Sequence, residues 1–137
     1  MGEKIYPLVY LASPMASTKS DSWGLDAEKL ERNTRIAEIL RAAGMDIHLP
    51  QDNQKETQKL TQAAQEKIIA ECDFMIAILS DTRGIYLEVG FAKGIGKKAY
   101  ALIVEETRPV SEWLESWFEF VARNIDELIE YLKKKII

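Results

Sequence analysis

A carboxylate, Glu88, occupies the position in this sequence where catalysis is easiest to place. The apolar run Phe74 to Leu79 is bounded by polar residues, which is typical of a strand buried on both faces of a sheet. A polar turn follows, and the helical pattern from about Ile85 to Gly96 puts Glu88 near the first turn of the next helix. Ligands of open α/β sheets bind at the carboxyl ends of the strands. Glu88 is therefore the leading candidate for a catalytic group, although the helix dipole also favours a purely structural glutamate there.

Two further polar features lie near the end of another predicted strand. The segment Pro50 to Gln54 has four polar side chains in five residues, which suits either a ligand-binding loop or ordinary turn chemistry. His48, the only histidine, precedes it in an apolar strand, where we expect a structural residue with satisfied hydrogen bonds. No cysteine or second histidine stands near it, so no metal site is expected.

The glycine-rich segment Gly94 to Lys98 only superficially resembles a phosphate-binding loop. It lacks the Ser or Thr after the lysine and it ends a helix instead of starting one, so we interpret it as a helix C-cap. The first strand, residues 5–12, does not lead into Gly-x-Gly-x-x-Gly, which makes a dinucleotide unlikely. No cofactor is expected.

Strands and helices alternate along the chain. The predicted strands are residues 5–12, Met45–Leu49, Phe74–Leu79, Ala99–Val104 and Phe118–Ala122, and the predicted helices are Leu25–Gly44, Thr57–Glu71, Ile85–Gly96, Pro109–Trp117 and Glu127–Lys135. This order predicts an α/β fold, a three-layer doubly wound (flavodoxin/Rossmann-like) domain with a five-stranded parallel sheet. One domain is expected over residues 1–137.

Composition excludes several classes of protein. A net charge of -4 argues against a nucleic-acid-binding surface, and no apolar run approaches the ~18 residues of a membrane span. Cys72 is the only cysteine, so no intrachain disulfide can form and a reducing, cytoplasmic setting is expected; we interpret Cys72 as an inert core thiol. Trp113 and Trp117, four residues apart, form an aromatic face that suits either the core or a subunit interface.

Four motifs in order resemble the nucleoside 2-deoxyribosyltransferase family, which includes the related 2′-deoxynucleoside 5′-monophosphate N-glycosidases. They are Tyr10–Met15, Leu49–Gln54, Asp73–Ala77 and Gly84–Ala92, and the similarity runs over residues 5 to 104. The resemblance implies an enzyme that cleaves the N-glycosidic bond of 2′-deoxyribonucleosides and transfers the sugar to another base. It implies a nucleoside or nucleotide and a free nucleobase as partners, with no metal.

The resemblance also implies roles for individual residues. Glu88 corresponds to the nucleophile that attacks C1′, and Tyr10 to a tyrosine whose hydroxyl holds that carboxylate. Gln54 matches a side chain that contacts the base, and Ser13 and Met15 fall in the loop that lines the sugar end. A carboxylate under C1′ suits this reaction because it stabilises the oxocarbenium-like state and then traps it.

The sequence departs from the family pattern around the leaving base. Gln65 stands where many members have an aspartate that protonates or orients the base; Gln65 can position a base but cannot be its acid, and Glu66 is adjacent. Thr82 stands where some transferases have another aspartate, with Asp81 beside it. We count Gln65, Asp81, Thr82 and Gly84 among the substrate-binding positions.

The third departure concerns the 5′-phosphate. Met15 occupies the position of an arginine that contacts this group in the nucleotide hydrolases, and neither Arg83 nor Lys19 stands at the matching place.

Base transfer is the first prediction for the function. The alternative is an N-glycosidase with water as acceptor, and the third possibility is a non-catalytic nucleotide-binding module. A homo-oligomer, dimer or higher, is implied because family members complete each pocket from a neighbouring subunit. Whether Ser111, Trp113 or Ser116 would reach across is left open.

Overall fold

The architecture is a five-stranded, all-parallel sheet with helices on both faces. The computed structural model of the protein describes residues 6–14, 26–53, 62–80, 84–104 and 112–136. The strands are β1 (Leu8–Ala12), β2 (Asp46–His48), β3 (Phe74–Leu79), β4 (Ala99–Ile103) and β5 (Phe120–Ala122), and they lie in the order β2-β1-β3-β4-β5. The predicted α/β class and parallel sheet are confirmed.

The helices of the described residues follow the predicted alternation, with some different bounds. They are α1 (Ala27–Ala42), α2 (Gln62–Glu71), α3 (Gly84–Gly94), α4 (Glu112–Glu115) and α5 (Ile125–Lys135). Residues 57–61 and 109–111, which we assigned to helices, lie outside the described part of the chain. The segment predicted as a loop after β2 is instead a short 3₁₀ helix, Pro50–Asn53, and β5 begins at Phe120 instead of Phe118.

Two apolar clusters sandwich the sheet. On one face, Ile36 and Leu40 of α1 and Leu128 and Leu132 of α5 cover alternate residues of the strands such as Leu11. On the other face, α2 and α3 pack against the remaining strand residues, and Ile69, Ile85, Val89, Ala92 and Tyr10 belong to this cluster. Because both faces are covered, β3 and β4 are buried along their whole length, which explains why their sequences are continuous apolar runs.

The predicted helix-end signals are present in the backbone. Gly44 and Gly96 have φ angles of 103° and 84°, a left-handed conformation that glycine adopts without steric cost after a helix. Gly96 follows α3, so the segment from Gly94 ends a helix and is not a phosphate loop. Asn124 caps α5 by accepting from the Glu127 N–H at 2.8 Å, and Asp26 caps α1.

Candidate active site

Tyr10 and Glu88 meet although 78 residues separate them in sequence. The Tyr10 hydroxyl donates a hydrogen bond to Glu88 Oε1 at 3.2 Å. Tyr10 is fully buried in β1, and Glu88 is half-buried in the second turn of α3. The pair is an enclosed phenol and carboxyl with a direct contact between them.

The fold brings these two side chains together in a simple way. Side chains alternate along β1, so Tyr10 points to the face covered by α2 and α3, while Val9 and Leu11 point to the other face. Ile85, Val89 and Ala92 fasten α3 to the same face, which turns the neighbouring Glu88 toward β1. The strand order reverses between β1 and β3, and ligands of doubly wound sheets bind at this switch point.

Burial sets the ionisation of the pair. Loss of solvation raises the pKa of Glu88 from 4.5 to about 7, and the hydrogen bond from Tyr10 lowers it in part. The pKa of Tyr10 is raised well above 10, first by burial and then by the adjacent Glu88 charge. Tyr10 therefore stays a neutral donor, and the Glu88 carboxyl changes its charge near neutral pH.

His48 is a neighbour of this pair that the sequence interpretation missed. Its ring stacks on Tyr10 with centroids 5.6 Å apart and planes 19° apart, because His48 and Tyr10 are register partners in β2 and β1. Burial lowers the pKa of His48, against the opposing effect of Asp52, and so favours the neutral ring. Its Nε2 is buried and has no hydrogen-bond partner among the described residues.

The other predicted site residues are described only in part. Ser13 follows β1 and is buried, with no hydrogen-bond partner for its Oγ among the described residues. Gly84 is the first residue of α3. Gln65 is half-buried on α2. The neighbouring Glu66 accepts a hydrogen bond from Gln62 at 2.9 Å.

Several predicted positions lie outside the described residues. They are the predicted substrate-binding residues Met15, Gln54, Asp81 and Thr82, together with Lys19, Arg83 and Ser111.

The remaining sequence features have ordinary structural settings. Cys72 is buried, and burial raises the pKa of its thiol to about 11, which keeps it protonated. Trp117 packs partly against the core, whereas Trp113 is 66% exposed. The two rings meet edge to face, with their centroids 5.5 Å apart. Within the described ranges, no three His, Cys, Asp or Glu residues form a group that could hold a metal ion. No helix there is long and apolar enough to cross a membrane.

Solved structures share this fold. A 2-deoxyribosyltransferase from Bacillus psychrosaccharolyticus is 17% identical over 90% of this chain and 91% of its own, with a TM-score of 0.69. The CMP N-glycosidase BcmB from Clostridium botulinum is 19% identical over 92% of this chain and 98% of its own, with a TM-score of 0.56. No curated protein sequence matches significantly. The family model for nucleoside 2-deoxyribosyltransferases matches residues 9–119, more than half of the sequence, and the chain therefore belongs to the nucleoside 2-deoxyribosyltransferase family.

Proposed function

We propose that this protein cleaves the N-glycosidic bond of 2′-deoxyribonucleosides and transfers the deoxyribose to another base, with Glu88 as the nucleophile. The observation that carries the proposal is the 3.2 Å hydrogen bond between Tyr10 and Glu88 in a buried setting at the strand-order switch point. A domain that only binds nucleotides has no need of this pair. Family membership supports the same class of reaction.

The proposed reaction has two displacements. A Glu88 carboxylate oxygen bonds to C1′ while the C1′–N bond breaks and its electron pair leaves with the base, which takes up a proton. A nitrogen of the second base then attacks C1′ and gives up its proton, the C1′–O bond to Glu88 breaks, and the carboxylate is restored. Two inversions retain the configuration at C1′. Tyr10 holds the carboxylate in place and remains neutral throughout.

The substrate-binding residues are assigned by the same proposal. Ser13 and Met15 lie at the sugar end and Gln54 contacts the base. Four further residues are proposed to orient the leaving base or line its path: Gln65, Asp81, Thr82 and Gly84. Because an amide cannot supply a proton, Gln65 positions the base without acting as its acid.

Water is the alternative acceptor. The likeness to the Clostridium botulinum CMP N-glycosidase over almost the whole of both chains keeps hydrolysis of a nucleoside or a nucleoside 5′-monophosphate as the second candidate. In that reaction water attacks C1′ of the glycosyl-enzyme and the C1′–O bond to Glu88 breaks. The products are the free base and the free sugar, or the sugar 5-phosphate when the substrate is a monophosphate.

The setting of the reaction belongs to the proposal as well. We place the enzyme in the cytoplasm, in nucleoside metabolism of the purine salvage type. We propose that residues 1–137 form one domain and that copies of the chain assemble into a homo-oligomer of two or more subunits.

The test is incubation with deoxyadenosine or deoxyinosine, with and without a second free base, followed by chromatography. A new deoxynucleoside supports transfer, and free base alone supports hydrolysis. If deoxynucleosides, ribonucleosides and 5′-monophosphates all stay intact while a ligand remains bound, the protein is a binding module and the enzyme proposal fails.

Two variants test the role of Glu88. Glu88→Gln keeps the size and a hydrogen-bond acceptor for Tyr10 but is no nucleophile, so kcat should fall by at least about 10³-fold. Glu38→Gln, the same change at an exposed site on α1, is the matched control and should keep full activity. Mass spectrometry of the quenched wild-type enzyme should find one deoxyribosyl group on the peptide that contains Glu88. If Glu88→Gln retained turnover, Glu88 would not be the nucleophile.

A further inference from the structure

A buried amide on α1 bridges the two chain segments that leave β1 and β2. Asn33 is fully buried, and its Nδ2 donates to the Pro14 carbonyl at 2.8 Å and to Gln51 Oε1 at 3.1 Å. Pro14 lies two residues beyond the end of β1, and Gln51 lies in the 3₁₀ helix that follows β2. Each N–H of one side-chain amide therefore holds a different segment at the carboxyl edge of the sheet.

The Gln51 side chain is itself fixed on α1. Its Nε2 donates to the Leu30 carbonyl at 2.9 Å and to Thr34 Oγ1 at 3.0 Å. Backbone carbonyls can only accept, so the contacts to Pro14 and Leu30 determine the orientation of both amides. The result is a continuous chain of hydrogen bonds from the loop after β1, through α1, to the turn after β2.

The position of Asn33 is one where packing alone would favour an apolar residue. It precedes Ile36, Ala37 and Leu40 by three, four and seven residues, so it extends their buried stripe toward the carboxyl edge. Burying an amide is costly unless its hydrogen bonds are made, and here the two N–H groups make them while Oδ1 has no partner among the described residues. The ion pair between Arg41 and Asp52 at 3.6 Å also links α1 to the turn, but it is solvent-exposed and contributes little.

We infer that Asn33 is a positioning residue that sets substrate affinity by holding these two segments in a fixed relation on one side of the Tyr10–Glu88 site. The inference rests on the proposed function, because the segments concerned continue into the positions proposed for sugar and base contact, Met15 and Gln54. Asn33 acts through Pro14 and Gln51 and not through the reacting atoms. Its loss should weaken substrate binding and leave bond cleavage by Glu88 intact.

Steady-state kinetics of Asn33→Ala, Gln51→Ala and the double variant test this. We expect KM for the deoxynucleoside to rise about three- to tenfold in each single variant, a range typical of lost side-chain hydrogen bonds, while kcat stays within about twofold of wild type. Because the Asn33–Gln51 hydrogen bond is lost in either single variant, the rise in KM of the double variant should be smaller than the product of the two single rises. The pH profile of kcat should not move, since Tyr10 and Glu88 are untouched.

The control separates positioning from loss of folded protein. Ile36→Val lies on the same helix and weakens core packing without touching the amide network. A purely structural role for Asn33 would lower kcat in proportion to the folded fraction and leave KM unchanged, as in Ile36→Val. Gln51 is only half-buried, so Gln51→Ala carries the test if Asn33→Ala does not fold.

The outcomes distinguish this inference from the proposed function. If the wild type cleaves deoxynucleosides and neither Asn33→Ala nor Gln51→Ala raises KM, the inference is overturned and the proposed function stands. If the wild type binds deoxyadenosine without cleaving it, the proposed function fails, and calorimetric Kd values for the variants replace KM. A Kd unchanged from wild type in Gln51→Ala would then overturn the inference.

Discussion

At the scale of residues, the site depends on one contact whose partners change each other's chemistry. Burial alone would leave Glu88 protonated at neutral pH, and the Tyr10 hydrogen bond acts in the opposite direction by stabilising the carboxylate. The nucleophile proposed for this protein is thus held at a pKa of about 7, where a large fraction is ionised under cellular conditions. Burial of Glu88 thus sets its ionisation and also lowers the stability of the folded protein when the carboxylate is charged.

The Tyr10 hydroxyl should govern the pH dependence of the reaction. Since its hydrogen bond lowers the pKa of Glu88, Tyr10→Phe should raise that pKa, and the acidic limb of the kcat/KM profile should shift to higher pH. Tyr131→Phe is the control, because it also removes a tyrosine hydroxyl but on the opposite face of the sheet. A profile that does not move in Tyr10→Phe would show that the limb does not report Glu88.

Glu88 should also make stability depend on pH. Its pKa is higher in the folded protein, about 7 against 4.5, so its favourable contribution is fully present below about 4.5 and is lost as pH rises through 7. The difference corresponds to about 3 kcal/mol. Glu88→Gln removes this loss, so its unfolding free energy should exceed that of wild type at pH 8 by up to this amount and match it near pH 4.5.

Urea denaturation at both pH values measures the effect. Glu38→Gln, on the exposed side of α1, is the matched control for the substitution itself. A Glu88→Gln variant that is no more stable than wild type at pH 8 would contradict the burial argument.

At the scale of elements, α3 carries the site and its end is defined by backbone conformation. Gly94 is the last residue of the helix, and Gly96 follows it with a φ of 84°. An added Cβ would meet no atom within 4 Å at either glycine, so space does not distinguish the two positions. Only the backbone angle does.

Gly96→Ala and Gly94→Ala are therefore a matched pair that should change the unfolding free energy in opposite directions. Alanine is strained in the left-handed region, so Gly96→Ala should lower the unfolding free energy by about 1 to 2 kcal/mol. Gly94→Ala should raise it by about 0.5 to 1 kcal/mol because alanine favours the helix. Thermal or urea unfolding of both variants checks this, and equal effects of one sign would contradict the assignment of Gly96 as the helix cap.

At the scale of the whole molecule, part of the apolar surface of the described residues is exposed. Trp113 and Leu87 are 66% and 81% exposed, and Leu87 is adjacent to Glu88 in α3. Exposed large apolar side chains are common at subunit interfaces.

The oligomer proposed for this protein makes a direct prediction here. Sedimentation should give a mass that is a multiple of the single chain, and Trp113→Ser should lower that mass or raise the concentration needed for assembly. A single-chain mass at all concentrations would contradict the proposed oligomer, and an unchanged assembly in Trp113→Ser would exclude this residue from the interface.

Local patterns in the sequence predicted much of this molecule. Two apolar runs form the strands Phe74–Leu79 and Ala99–Ile103, because a strand covered on both faces needs no polar residues. Gly44 and Gly96 follow the ends of helices because of their backbone freedom. The resemblance of four motifs to the nucleoside 2-deoxyribosyltransferase family indicated the family, which the family model confirms, and implied the pairing of Glu88 with Tyr10. These signals are local, so they can be read without knowing which strands are neighbours.

Tertiary structure alone decided what depends on neighbours far apart in sequence. The order β2-β1-β3-β4-β5 and its register put His48 beside Tyr10, and no local pattern encodes that pairing. No sequence pattern distinguishes Asn33 from other polar residues of a helix; its position depends on the hydrogen bonds of its amide with Pro14 and Gln51. Glu88 could be named from sequence, but its pKa of about 7 comes from burial, which exists only once the sheet and α3 have packed around it.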